Sequence, residues 1–127
     1  MHQPLHCSDN KDRGGNEVRL DFFGRPSNLH SVWDGGLLGR LAAEDAMFAE
    51  LSKDLSNSHA KKWGRGTPRD WAEQTHKAGV QLVYGKLPKD HPAVTPQYEK
   101  LAQPLIRQQI ERAAARLAAT LNAALKG

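Results

Sequence analysis

Histidine and aspartate at a suitable separation can hold a metal ion, and Asn28-Leu29-His30-Ser31-Val32-Trp33-Asp34 offers such a pair. His30 and Asp34 stand four residues apart, which on a helix turns both side chains to one face, within reach of a single ion. His6 lies in His2-Gln3-Pro4-Leu5-His6, where Pro4 stiffens the approach. Two imidazoles and a carboxylate make three protein ligands and leave a fourth position on zinc for water or substrate. The catalytic group of such a site would be a metal-bound water on the zinc of His6, His30 and Asp34, acidified by the ion, with charge on a phosphoryl oxygen stabilised beside it. The same residues also fit ordinary surface or core positions, and spacing alone does not recruit His6.

Between these ligands runs Asp9-Asn10-Lys11-Asp12-Arg13-Gly14-Gly15-Asn16, a polar loop whose glycine pair lets backbone approach a ligand closely. It also reads as an ordinary loop leading into a strand. Cys7, the one cysteine, adjoins His6 and reads as a free, inert thiol rather than a ligand, and it excludes a disulfide framework. His59, His76 and His91 have no partner at ligand spacing and read as structural or surface residues. Trp33, Trp63 and Trp71 could stack on bases, although helical spacing of Trp more often means packing. Of Phe22 and Phe23, at most one would face a substrate.

These groups need elements to position them. Val18, Leu20 and Phe22 alternate with Glu17, Arg19 and Asp21, the pattern of a half-buried strand. Phe23-Gly24-Arg25-Pro26-Ser27-Asn28 then reads as a turn, giving a short hairpin that must lean on helices. From Leu37 the pattern is helical. Ala42 to Leu55 is one expected helix, with Met47, Leu51 and Leu55 on one face. Thr67-Pro68-Arg69-Asp70 is a start signal for a second, which should end at Gly85. Thr95-Pro96 repeats that signal, and Pro104 is expected to break the helix or make it restart. Beyond it Ile106, Ile110, Ala113, Leu117, Leu121 and Ala124 form a long apolar stripe.

The 127 residues allow one modest domain: residues 1–36 carry the ligands, glycine loop and hairpin, and residues 37–127 are helical. An apolar share of 39% and a charged share of 25% describe a folded, water-compatible chain. No run approaches the roughly 20 apolar residues of a membrane span, so no membrane partner is expected. The residues after Met1 lack the basic-then-apolar pattern of a leader, so no signal peptide is expected within this stretch. The net charge of +4 is uneven. Residues 1–34 hold four Lys/Arg against five Asp/Glu, whereas residues 95–127 hold five against two, which reads first as a solvated face on the last helix.

Taken together, His2-Gln3-Pro4-Leu5-His6, Asp9-Asn10, Gly14-Gly15-Asn16, Asn28-Leu29-His30 and Trp33-Asp34 closely resemble, in order and spacing, the single-strand-specific zinc nucleases of the S1/P1 family, which also act as 3′-nucleotidases. Trp71-Ala72-Glu73 and the stretch from Gln109 to Leu117 extend the likeness over nearly the whole chain. The resemblance implies a mainly α fold: a helical domain with one small β-hairpin near the N-terminus, similar to the C-terminal half of the phospholipase C/nuclease zinc fold. It implies a cluster of three zinc ions, with His6, His30 and Asp34 matching the ligands of the zinc that stands apart from the bridged pair. Gly14, Gly15 and Asn16 match a loop beside the nucleotide-binding site. The implied activity is hydrolysis of single-stranded DNA or RNA and of 3′-nucleotides to 5′-phosphorylated products, in a secreted or periplasmic setting. Ligands of the other two zincs lie upstream of the His6 motif in relatives and have no match here. The expectation is therefore the C-terminal portion of a longer nuclease, incomplete as an enzyme by itself. No feature points to a protein partner.

Two other readings stay open: a non-catalytic basic helical module that holds nucleic acid through its phosphates, and an inactive truncation with one structural zinc. Phosphate contacts of the first kind would weaken steeply with salt and survive metal removal.

Overall fold

Apolar residues alternating with polar ones up to Phe22 do form a strand in the computed structural model, which describes residues 1–41, 44–55 and 57–126. Strand β1 (Arg19–Phe22) buries Leu20 and pairs antiparallel with β2 (Pro26–Asn28), Arg19 opposite Asn28 and Asp21 opposite Pro26. Phe23 and Gly24, both at positive φ, make the two-residue loop, closed by reciprocal backbone hydrogen bonds between Phe22 and Arg25. That mirror-image turn matches the twist of a hairpin. The sheet also has a third strand that the sequence did not announce: β3 (Ala93–Val94) lies parallel to β1, so the order is β2-β1-β3.

Asn28 ends β2 and caps the next element, its Oδ1 accepting from Ser31 N at 2.8 Å. Helix α1 (Leu29–Ser31) runs directly into a π-helical turn (Val32–Gly36) and then a 3₁₀ turn (Leu38–Arg40). Helix α2 (Glu44–Asp54) occupies most of the expected 42–55 span, whose first two residues lie outside the described ones. Helix α3 (Asn57–Trp63) follows. Helix α4 (Pro68–Ala78) starts as its sequence dictates: Thr67 Oγ1 accepts from Asp70 N at 3.3 Å, and Asp70 Oδ2 accepts from Thr67 N at 2.8 Å. It continues as a second π-helical segment (Gly79–Tyr84) and stops at Gly85.

Helix α5 (Pro96–Leu125) corrects two expectations. Pro104 lies inside one uninterrupted helix. Pro104 and Lys100, whose carbonyl loses its helical partner, are both exposed, so water can take that carbonyl, while Tyr98 and Ala102 hold the first turns in the core. The apolar stripe also leaves the core beyond Ala113: Leu117 and Leu121 are 61% and 50% exposed. Gln109 and Glu111 before Ala113, and Ala115 and Arg116 beyond it, are the buried residues of this stretch.

The core gathers Leu5, Leu20, Leu29, Val32, Trp33, Leu37, Val83, Val94, Tyr98 and Ala102. Tyr98 ties three elements: its hydroxyl accepts from Trp33 Nε1 at 3.0 Å and donates to Val83 O at 2.9 Å. Burial pushes the Tyr98 phenol well above its usual range. Trp33 is thus a core residue, not a base-stacking one. Phe22 packs against the core and Phe23 is exposed, with the Arg40 guanidinium 3.7 Å from its ring centre.

Candidate metal centre

His6, His30 and Asp34 converge. His6 sits at the end of a 3₁₀ turn (Pro4–His6) in which Gln3 Oε1 accepts from Leu5 N and Leu5 is buried. That turn presses against the second π-helical segment: a Cβ on Gly79 would collide with Ser8 and lie 3.3 Å from Pro4 O. His30 is on α1 and Asp34 on the π turn that extends it, where Leu37 N donates to Val32 O at 2.9 Å. The wider turn still keeps residues four apart on one side. His6 Nε2 lies 3.4 Å from Asp34 Oδ1, and His30 Nε2 lies 3.3 Å from Asp34 Oδ2. One ligand atom from each residue fits within 4.8 Å of the others, the single such group of His, Cys, Asp or Glu among the described residues. The two imidazoles stack, centroids 5.3 Å apart.

A zinc test favours this set. Two ligand atoms each about 2.0–2.1 Å from zinc, at a tetrahedral angle, stand about 3.3 Å apart. Each imidazole stands at about that separation from one oxygen of the Asp34 carboxylate, His6 from Oδ1 and His30 from Oδ2. The tautomer agrees too. His30 Nδ1 lies 2.8 Å from Gly14 O, and a carbonyl only accepts, so Nδ1 donates there and Nε2 is the nitrogen turned toward Asp34. Gln3 Nε2 donates to Asp34 Oδ1 at 2.7 Å and orients the carboxylate. Asp34 is 48% exposed, His6 47% and His30 20%, so a ligand can reach the group.

The glycine loop is the brace behind His30. Gly14 and Gly15 are buried at φ 61° and 84°, and a Cβ on Gly14 would lie 2.9 Å from Leu5 O. Asp9 Oδ1 accepts from Gly14 N at 3.0 Å and Asp12 N at 3.1 Å; these bonds, Gly14's first, hold its carboxyl below the usual range. Asp12 Oδ1 accepts from Gly15 N and from the Tyr84 hydroxyl, each at 2.8 Å. Burial and then this bond to Asp12 push the Tyr84 phenol up. Asn16 is exposed, its amide donating to Arg13 O at 2.8 Å.

Sequence reasoning named the three side chains that converge and the loop beside them. It missed Gln3 and the Gly14 carbonyl as positioning groups, and Arg13. Their proximity in sequence to His6 and to the glycine pair was the available signal. Arg13 lines an open depression of about 480 Å³ with His6, Asp9 and Gly14, while an apolar cavity of about 230 Å³ lies on the Trp33–Asp34 side. Among the other histidines, His76 is structural: its Nδ1 donates to Cys7 O at 2.8 Å. His59 stacks on Trp63, and the Cys7 thiol donates to Met1 O at 3.3 Å.

Comparison with known proteins gives the family. Endonuclease 2 of Arabidopsis thaliana is 29% identical over 96% of this chain and 47% of its own length. Endonuclease 1 of the same plant is 26% identical, over 96% and 45%. Nuclease S1 of Aspergillus oryzae is 25% identical, over 96% and 49%. The chain spans about half the length of these curated relatives. The model of one family, described as S1/P1 Nuclease, matches residues 1–126, an interval that takes in all three converging side chains, and the chain belongs to that family.

Proposed function

We propose that His6, His30 and Asp34 hold one zinc ion, and that this chain contributes that site to hydrolysis of phosphodiester bonds in single-stranded DNA or RNA and of 3′-nucleotides, leaving 5′-phosphorylated products. The convergence of the three side chains carries the reading. A zinc ion there would acidify water and stabilise charge on phosphoryl oxygens. The chain's own residues do the rest. Gly14 O and Gln3 Nε2 fix the two ligands they touch, and Arg13 supplies a cation beside His6 where a phosphate would arrive. The same donor set also suits ferrous iron, and the family resemblance selects zinc. Gly14, Gly15 and Asn16 bound the substrate side in this proposal, Asn16 being the one whose side chain reaches solvent. Secretion or a periplasmic location, and two further zincs with ligands from outside this chain, follow the same resemblance.

A basic nucleic-acid-binding module has less behind it. Its motive was the charge of α5, and that charge is not a solvated stripe: Arg107 pairs with Glu50, and Arg116 is buried. The test is a cleavage assay on single-stranded DNA with zinc, using the folded chain alone and mixed with the N-terminal half of a relative. Zinc-dependent cleavage that His30→Ala abolishes supports the proposal. No cleavage in either mixture, from a chain that also binds no zinc in titration calorimetry, refutes it.

A further inference from the structure

The last helix carries two arginines that the metal centre does not use, Arg116 buried and Arg112 half-buried. Arg112 and Arg116 face a cavity of about 340 Å³ between α3, α4 and α5, a size typical of small-ligand sites. Arg116 is 4% exposed; its Nε donates to Trp63 O at 3.2 Å and one terminal nitrogen to Gln74 Oε1 at 2.6 Å, but Nη1 is buried with no acceptor among the described residues. Arg112 donates to Gln109 Oε1 at 3.2 Å, and its Nε is likewise buried with no acceptor among the described residues. Lys62 and Arg65 line the same cavity, so four cations face it. The carboxylate that lines it, Asp70, is committed to the α4 cap, its Oδ2 accepting from both Thr67 N and Thr67 Oγ1 at 2.8 Å.

Such an arrangement is costly unless something neutralises it. Like charges four apart on a helix repel, and a guanidinium, unlike an ammonium, does not escape by losing its proton. Burial, and for Arg116 also repulsion from Arg112, press both guanidinium pKa values down. A buried donor without an acceptor adds its own desolvation cost. An anion with several acceptor oxygens would satisfy both orphaned N–H groups at once, and phosphate fits the planar, forked guanidinium.

We infer that the cavity between α3, α4 and α5 is a phosphate-binding site, formed by Arg112 and Arg116 with Lys62 and Arg65 at its mouth, and separate from the metal ligands. Its ligand is a phosphoryl anion, either a free phosphate or a phosphodiester of a nucleic-acid strand. Trp63 and Trp71 line the cavity, with the Arg116 guanidinium 5.2 Å from the centre of the Trp71 ring, so indole fluorescence reports on occupancy.

The experiment titrates the metal-free, desalted chain with inorganic phosphate and separately with a short thymidine oligonucleotide, following tryptophan fluorescence. Saturation by phosphate assigns a free anion, and saturation by the oligonucleotide alone assigns a strand; either supports the site. Arg112→Gln should weaken binding about tenfold or more, the loss of one charge-assisted hydrogen bond. Lys62→Gln with Arg65→Gln, both at exposed positions that leave the fold intact, should weaken it and flatten its salt dependence. No saturable response to either probe from a chain that circular dichroism shows folded would overturn the inference. So would unchanged affinity in these variants, or an equal response to polyglutamate. Because metal is absent throughout, failure here leaves the zinc proposal standing, and the reverse also holds.

Discussion

Replacing Gly14 by alanine separates the brace behind His30 from the general cost of a left-handed backbone. At φ 61° an alanine costs about 1–2 kcal/mol. Its Cβ would also lie 2.9 Å from Leu5 O and 3.4 Å from Ser8 O, so backbone must shift. Leu5 belongs to the turn that carries His6, and Gly14 O holds His30 Nδ1 at 2.8 Å. The shift therefore disturbs two of three ligands together. Outer-shell partners of metal-binding histidines are typically worth about 10–100-fold in affinity, which is about 1.4–2.8 kcal/mol. Gly24→Ala is the control. Its φ is 82°, but a Cβ there meets nothing within 4 Å. Both variants should lose about 1–2 kcal/mol or more of metal-free stability in guanidinium denaturation. Only Gly14→Ala should also lose zinc affinity, measured by competition with a chromophoric chelator. Equal zinc affinity in the two variants would refute the claim that the loop holds the histidine.

Asp34→Asn removes the anionic ligand from a half-exposed position; zinc affinity should fall at least about 100-fold while metal-free stability changes by under about 1 kcal/mol, read by calorimetry and denaturation. Tyr98→Phe strands the Trp33 Nε1 donor and the Val83 carbonyl in the core and should cost about 1–3 kcal/mol in denaturant midpoint analysis, with zinc binding unchanged. His2 has its pKa lowered by burial and then by Arg116, so its neutral form is favoured in the fold. The stability it contributes is present above its unfolded pKa of about 6.5 and is lost as pH falls toward the folded value. Denaturation of the metal-free chain at pH 7.5 and pH 5.5 should show a smaller acid loss for His2→Gln than for the unmodified chain.

The legible parts of this fold are those written in local chemistry. Thr67 and Thr95, each followed by proline, mark helix starts that the side-chain caps realise. Alternation around Leu20 marks the hairpin, and the four-residue step from His30 to Asp34 marks two side chains that meet. What stayed hidden depends on segments distant in sequence. β3 is two residues long and pairs with a strand about 70 residues earlier, so it carries no periodic signal. Both π-helical segments are set by packing, the second where Gly79 admits the turn that bears His6. Arg112 and Arg116 look like a solvated face in sequence because only tertiary structure brings α3 and α4 over them.

The same geometry decides whether a zinc ion here would be a staple or a working part. A structural zinc substitutes for a core, and domains that depend on one unfold without it. This chain has a core of its own. Leu5 and Leu29, which immediately precede His6 and His30, are buried in it, and Trp33 precedes Asp34 into it. The ligands are also held by protein hydrogen bonds, from Gln3 to Asp34 and from His30 to Gly14, that need no metal. Removing zinc should therefore leave far-ultraviolet circular dichroism unchanged. Adding it at 100 times its dissociation constant should contribute about 2.7 kcal/mol by mass action alone, or roughly 10 °C in melting temperature for a chain of this size. His30→Ala should erase that shift without unfolding the chain. Collapse of the metal-free chain would instead assign the ion a structural task and would contradict a preformed site.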